Sequence, residues 1–180
     1  MRKLIVTEFI TLDGVMEAPH EWSFPFWTPE IAKFKKEELF NSDIQLLGRT
    51  TYEGFAEAWP TMQDEEGFAD KMNSMPKVVV STTLTIPKWN NSTIIKGNVI
   101  EEITKLKQQE GKDILIAGSA QLIQSLMPHD IIDNYQLLVY PIILGKGKHL
   151  FPDGIAPINL KLNETRSYDS GVVLLSYSKK

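Results

Sequence analysis

The sequence predicts an α/β fold, a sheet with crossover helices that ends in an antiparallel hairpin, on three observations. Apolar, β-branched runs of strand length alternate with segments of helical period through most of the chain. One of those runs, KVVVST at 77–82, is apolar without polar alternation, which is how a strand buried on both faces reads. The last stretch, INLKLNETRSYDSGVVLLSYSKK, is two strand-like runs around Asp-Ser-Gly, a hairpin signal.

The elements follow in order. LIVTEFIT is the first strand, and LDGVMEAPHEWSFPFW after it, with its prolines, glycine and aromatics in no clean period, reads as a long loop of the kind that carries function. Thr28 and Pro29 stand as N-cap and first helical position for PEIAKFKKEELF, whose buried face is expected at Ile31, Phe34, Leu39 and Phe40. IQLLG is a strand, and Thr50 with Glu53 has the spacing of a capping box that opens a second helix. DEEGFADKMNSM predicts a short helix stopped by Pro76, and STIIK a short strand. Asn98 and Glu101 repeat the capping-box spacing before Ile100, Ile103 and Leu106, with Gly111 as the stop. DILIAGSAQLIQSLMP reads as strand, glycine corner and helix, with Leu122, Ile123, Leu126 and Met127 facing inward. IIDNYQLLVYPIIL is a long strand broken at Pro141, and GKGKHLFPDG is a loop.

Length and composition bound the function. A chain of 180 residues fits one domain over 1–180 with a sizeable core. A net charge of −4 without clustered Lys and Arg argues against a nucleic-acid partner, while a local basic pocket for a small anion remains compatible. The absence of cysteine excludes disulfides, thiolate catalysis and cysteine-bound metal, and His20, His129 and His149 have no metal-ligand spacing, so no metal is expected. No run reaches the ~18 apolar residues of a membrane span, and Thr7 and Glu8 interrupt the N-terminal apolar run, which reads as a strand and not a leader. A cytoplasmic protein with no membrane partner is the expectation.

Three corners share one design, a strand whose C-terminal end turns into small or hydroxylic residues. Ligands of open α/β sheets bind outside such ends. At LLGRTT a helix N-terminus offers free N–H groups, Thr50 and Thr51 add hydroxyls, and Arg49 can grip a phosphate, although Arg49 reads equally as a solvated charge and Gly48 as a plain turn residue. At VVVSTT, Ser81 and Thr82 leave a buried strand, where taken alone they read first as strand-end solubilising residues. At ILIAGSAQ, Ala117, Gly118 and Ala120 let a ligand approach the backbone, with Ser119 as helix cap.

In this order and at these intervals, LLGRTTYEGF, KVVVSTT, ILIAGSAQLIQSL and DNYQLLVYPIILGKGKHLF resemble the dihydrofolate reductase superfamily. The closer likeness is to the branch named for the C-terminal reductase domain of the bifunctional riboflavin-biosynthesis deaminase-reductase, and PIILGKGKHLF is its most branch-specific stretch. The resemblance implies a three-layer dihydrofolate-reductase-like fold, a central mixed and mostly parallel sheet flanked by helices with the antiparallel hairpin at its end. It implies NADPH as cofactor, a small-molecule substrate and a homodimer. Carried over by position, Gly48, Arg49, Thr50 and Thr51 hold the phosphates and adenosine side. Ser81 and Thr82 lie near the adenosine 2′-phosphate, and Ala117, Gly118, Ser119, Ala120, Gln121 and Leu122 cradle the pyrophosphate. The loop with Asp13, Gly14 and Val15 closes over the nicotinamide. Two departures stand out: relatives in this branch often have an arginine where Thr82 stands, and the Gly-Gly pair of folate reductases is Ala117-Gly118 here.

Hydride transfer needs the reacting carbons held face to face with water excluded, and the cofactor supplies the chemistry. Trp22, Phe24, Phe26 and Trp27 offer stacking surfaces for a flat heterocycle, or else pin their loop to the core. For the proton that follows the hydride, Glu30 stands roughly where folate reductases carry their substrate-orienting acid, though an acid in a first helical turn also simply favours the dipole. Asp13 is its rival. The reading is an NADPH-dependent reductase of a flat pterin- or pyrimidine-like carbonyl or imine; the alternative is a non-catalytic NADP(H)-binding regulatory module.

Overall fold

The computed structural model describes residues 1–180. In chain order its strands and helices are β1 (Leu4–Thr11), α1 (Pro29–Phe40), β2 (Ser42–Gly48), α2 (Arg49–Ala58), α3 (Phe68–Ser74), β3 (Lys77–Val80), β4 (Ser92–Ile95), α4 (Val99–Gln108), β5 (Asp113–Ile116), α5 (Ala120–Leu126), β6 (Asn134–Tyr140), β7 (Leu160–Ser167) and β8 (Val173–Lys179). The strands form one eight-stranded sheet in the order β4-β3-β2-β5-β1-β6-β8-β7. Neighbours from β4 to β6 run parallel, and β8 pairs antiparallel with both β6 and β7.

The alternation of β1 shows why the sheet is covered on both faces. Leu4, Val6 and Ile10 point to one side, where Ile103 of α4 and Leu122, Ile123 and Leu126 of α5 complete the largest cluster, 20 buried residues. Ile5 points the other way with Leu47, Val79 and Leu115, against Leu39 of α1, Tyr52 of α2 and Met72 of α3. A third cluster joins Trp22, Ile31, Leu138, Tyr140 and Leu174 beside the hairpin. Each fully buried aliphatic side chain contributes about 1.5–3 kcal/mol, so these layers dominate the stability of the fold. Lys77, wholly buried at the start of β3, donates to the carbonyls of Asn73 (2.6 Å) and Asn90 (3.3 Å) and lies 4.0 Å from the Trp89 ring centroid.

Several local expectations are met and several corrected. Thr28 caps α1, accepting from Ile31 N–H at 3.3 Å, with Pro29 at the first position. Phe40, however, is 38% exposed, and Glu38 is buried in its stead. Neither capping box forms: α2 starts at Arg49 with Gly48 as its cap residue, which leaves Thr50 inside the first turn, and Asn98 caps α4 in a left-handed conformation without a side-chain bond. The long strand around NYQLLVY is confined to Asn134–Tyr140, because Pro141 ends it and Ile143 turns outward.

One irregularity of the sheet positions the site. β1 stays paired with β6 to Thr11↔Tyr140, whereas its pairing with β5 stops at Val6↔Ile116. Beyond Ile116 the chain follows β2 instead, and Gly48 N–H donates to Gly118 O at 3.3 Å. The sheet therefore opens between β1 and β5 at its C-terminal end.

Candidate active site

The β2–α2 and β5–α5 corners interlock. A Cβ on Gly48 would sit 2.2 Å from Ser119 Oγ, and one on Gly118, whose φ is +92°, would sit 2.6 Å from Thr51 Oγ1. Each glycine makes room for the hydroxyl of the opposite corner. Ser119 also caps α5, its Oγ accepting from Leu122 N–H at 3.5 Å.

Around these corners lies an open cavity of about 390 Å³ that gathers Gly48, Arg49, Thr50, Ser81, Thr82, Ser119, Gln121 and Leu122 of the expected cofactor set. Thr51, Ala117, Gly118 and Ala120 are not on its wall; Thr51 and Gly118 meet each other at the interlocked corners, and Ala120 belongs to the core. Its cations are Arg49 and Lys96, and none of its 14 lining residues is acidic. Lys96 escaped the sequence reading although it repeats the Arg49 pattern, a cation at a strand exit. Arg49 is half exposed and paired with Glu53 at 3.5 Å on its own helix, so it can swing to a ligand at little cost. Ser81 has a turn to hold as well: its Oγ accepts from Thr83 N–H (3.2 Å) and Leu84 N–H (2.9 Å). A cavity with two cations, several hydroxyls and no carboxylate is chemically suited to phosphate esters.

The loop after β1 is held by Asp13. Its carboxylate accepts from the Thr11 hydroxyl (2.5 Å), Leu144 N–H (3.3 Å) and Gly145 N–H (2.8 Å), while Thr11 Oγ1 accepts from Val15 N–H (2.9 Å). The Thr11 hydroxyl and then the Gly145 N–H hold the Asp13 carboxyl down at about 2. Asp13 is thus a clasp between the 11–15 turn and the 144–145 segment, its carboxylate occupied by these donors. Gly14 supplies the turn with φ +83°, and Val15, fully buried, bridges to His149.

The four aromatics of the loop divide. Trp22 is 6% exposed, donates its indole N–H to Glu17 O at 2.9 Å and meets Tyr140 edge-on at 5.2 Å, so it pins the loop and the expectation of a stacking surface is corrected there. Phe26 packs on the same tyrosine at 5.9 Å. Phe24 and Trp27 stay exposed, Trp27 leaning on Phe9 at 6.1 Å. Glu30 is exposed on the first turn of α1 and lines a different hollow of about 430 Å³ with Phe34, Arg166 and Tyr168, which shares no residue with the cationic cavity.

A group the sequence reading did not single out as a site lies at the sheet opening. Glu8 of β1 is 8% exposed, and its Oε1 has no hydrogen-bond partner. Burial raises its carboxyl to about 8, against smaller opposing effects of the Gly118 backbone N–H and the Lys35 charge. On the other face Lys35 donates to Thr7 Oγ1 at 2.7 Å and pairs with buried Glu38. The signal was there, a carboxylate in the middle of a strand otherwise read as core.

The chain and its fold have known relatives. The uncharacterised protein YyaP of Bacillus subtilis is 33% identical over 180 residues, covering 98% of this chain and 94% of its own. Among solved structures, a candidate riboflavin biosynthesis protein of Shewanella sp. PV-4 superposes with a TM-score of 0.80 at 21% identity, over 99% of both chains. The dihydrofolate reductase of Enterococcus faecalis, solved with NADP(H), superposes with a TM-score of 0.67 at 16% identity, over 99% of this chain and 96% of that one. The fold is thus the dihydrofolate-reductase-like one expected. The family model of the RibD C-terminal domain matches residues 2–174, and the chain belongs to that family.

Proposed function

We propose that this protein is an NADPH-dependent reductase that delivers hydride to a small, flat carbonyl or imine compound of pterin or pyrimidine type. The observation that carries the reading is the acid-free cationic cavity at the exits of β2, β3 and β4, which takes Ser119 from the corner that follows the last β1–β5 pair, Val6↔Ile116. The cofactor, when bound, supplies the hydride. Arg49 and Lys96 would hold its phosphates with Thr50, Thr82, Ser119 and Gln121, and the interlocked corners keep those groups in place before binding. Phe24 and Trp27 offer exposed apolar area for the substrate, while the clasp at Asp13 keeps the loop carrying Gly14 and Val15 folded over the strand ends. Glu30 would serve a substrate only if that substrate reached the hollow over α1.

Titrating NADPH into the protein and following loss of its near-ultraviolet absorbance with pterins, pyrimidinediones and quinones tests the reading. Oxidation with one class is the expected result; tight binding with no oxidation by any would make the chain a regulatory NADP(H) module. Pairing into a homodimer is supported by the exposed Leu162 on β7, the edge strand of the sheet, with exposed Ile158 just before it, and sedimentation velocity checks it.

A further inference from the structure

Glu8 is the buried acid that nothing above employs. Strand alternation sets it between Val6 and Ile10, both members of the largest apolar cluster, so its carboxyl stands on a face otherwise built for hydrocarbon. A carboxylate in such a place is costly unless something pairs with it, yet Oε1 is unpartnered. The residue also lies two positions past the last β1–β5 pair, beside the opening of the sheet. The backbone N–H of Gly118 faces the carboxyl, and the next residue in that turn, Ser119, lines the cationic cavity. Cavity and carboxyl are therefore the two sides of a single turn.

The charged groups that act on Glu8 are few. Lys35 and Glu38 of α1 oppose each other in effect, the β5–α5 turn contributes only the neutral Gly118 N–H, and the partner across β6 is Leu137.

We propose that Glu8 meets the nicotinamide end of the coenzyme and, by keeping or releasing its own proton, lets the protein tell the cationic oxidised form from the neutral reduced form. This rests on the reductase reading above. With the phosphates held at Arg49 and Lys96, the rest of an extended dinucleotide has one direction to run, along the strand ends past Ser119 to the opening. A neutral carboxyl there presents one donor and one acceptor, the complement of a carboxamide. When the ring is cationic, an opposite charge beside it favours the ionised carboxyl, whose proton leaves to solvent. Burial holds Glu8 protonated at neutral pH but only to about 8, within reach of such a shift.

Calorimetry with NADPH and NADP⁺, on the wild-type protein and on Glu8→Gln at about pH 6 and about pH 9, tests this. The 2′-phosphate is common to both nucleotides, so its titration cancels in the ratio of affinities. For the wild type the ratio should move toward NADP⁺ by about tenfold or more between the two conditions. Near neutrality NADP⁺ binding should release a proton, read from buffers of different ionisation enthalpy. Glu8→Gln should bind both nucleotides with a ratio that does not move. An invariant wild-type ratio without proton release, or the same movement in the variant, overturns the role of Glu8 and leaves the reductase reading intact. Failure of both nucleotides to bind at millimolar concentration overturns the two together. The proton release needs only the wild-type protein, so the inference stays testable if the variant folds poorly.

Discussion

Arg49 rests against Glu53 in the free protein, and the pair is half exposed, so breaking it costs little and redirecting the guanidinium costs less. Arg49→Ala should weaken NADPH by about 1.5 kcal/mol, roughly tenfold, while leaving the melting temperature unchanged; isothermal titration beside a thermal melt separates the two effects. Glu8 behaves in the opposite way, since its environment acts on folding. Its folded carboxyl titrates at about 8 against an ordinary 4.5, so the native state binds the proton more tightly than the unfolded chain. Stability associated with that group is complete at pH below the ordinary value and is lost as pH rises through about 8. Glu8→Gln should flatten this decline, seen as a smaller drop in denaturation midpoint between mildly acidic and mildly alkaline buffer. The setting of Glu8 was the least legible feature in the sequence: a lone acid in LIVTEFIT says only that something must accommodate it, and the end of the β1–β5 pairing beside it exists only after the strands are ordered.

At the scale of elements, the two corners behave as one joint. Gly48 has an ordinary extended backbone, φ −76° and ψ 159°, so only the clash with Ser119 forbids a side chain there. Gly48→Ala should destabilise the fold by about 1–3 kcal/mol in chemical denaturation. Adding Ser119→Ala removes the 2.2 Å contact and should recover part of the loss, making the pair of substitutions milder than the sum of each alone. The helix signals show what local sequence can carry. Thr28-Pro29 works because both residues act within a few positions, and the structure matches it. The same reasoning fails for Thr50 and Glu53, where the helix starts two residues earlier against the neighbouring corner and Glu53 is drawn to Arg49. Likewise the aromatics at 22–27 announce an apolar cluster, yet only the position of Tyr140 decides that Trp22 is structural while Trp27 is exposed.

For the whole molecule, the charge of −4 and the two cations of the cavity pull in different directions. Local attraction should outweigh the distant repulsion, which added salt screens first, so NADPH affinity should fall as salt rises; a titration series in sodium chloride measures it, and a flat series would deny Arg49 and Lys96 their contact with phosphate. The α/β class and the final hairpin were readable because they follow from periodicity and turn residues. The strand order was not, since neighbours such as β5 and β1 lie more than a hundred residues apart and meet only through their crossovers.

The pairing that stops at Val6↔Ile116 divides the eight strands into two leaves of four, β4-β3-β2-β5 and β1-β6-β8-β7, joined by a short seam along Leu4–Val6 and Ile114–Ile116. Under the reductase reading proposed above, a guest lodged over that seam would touch both leaves at once, so its two ends would be held by strands that share few direct hydrogen bonds.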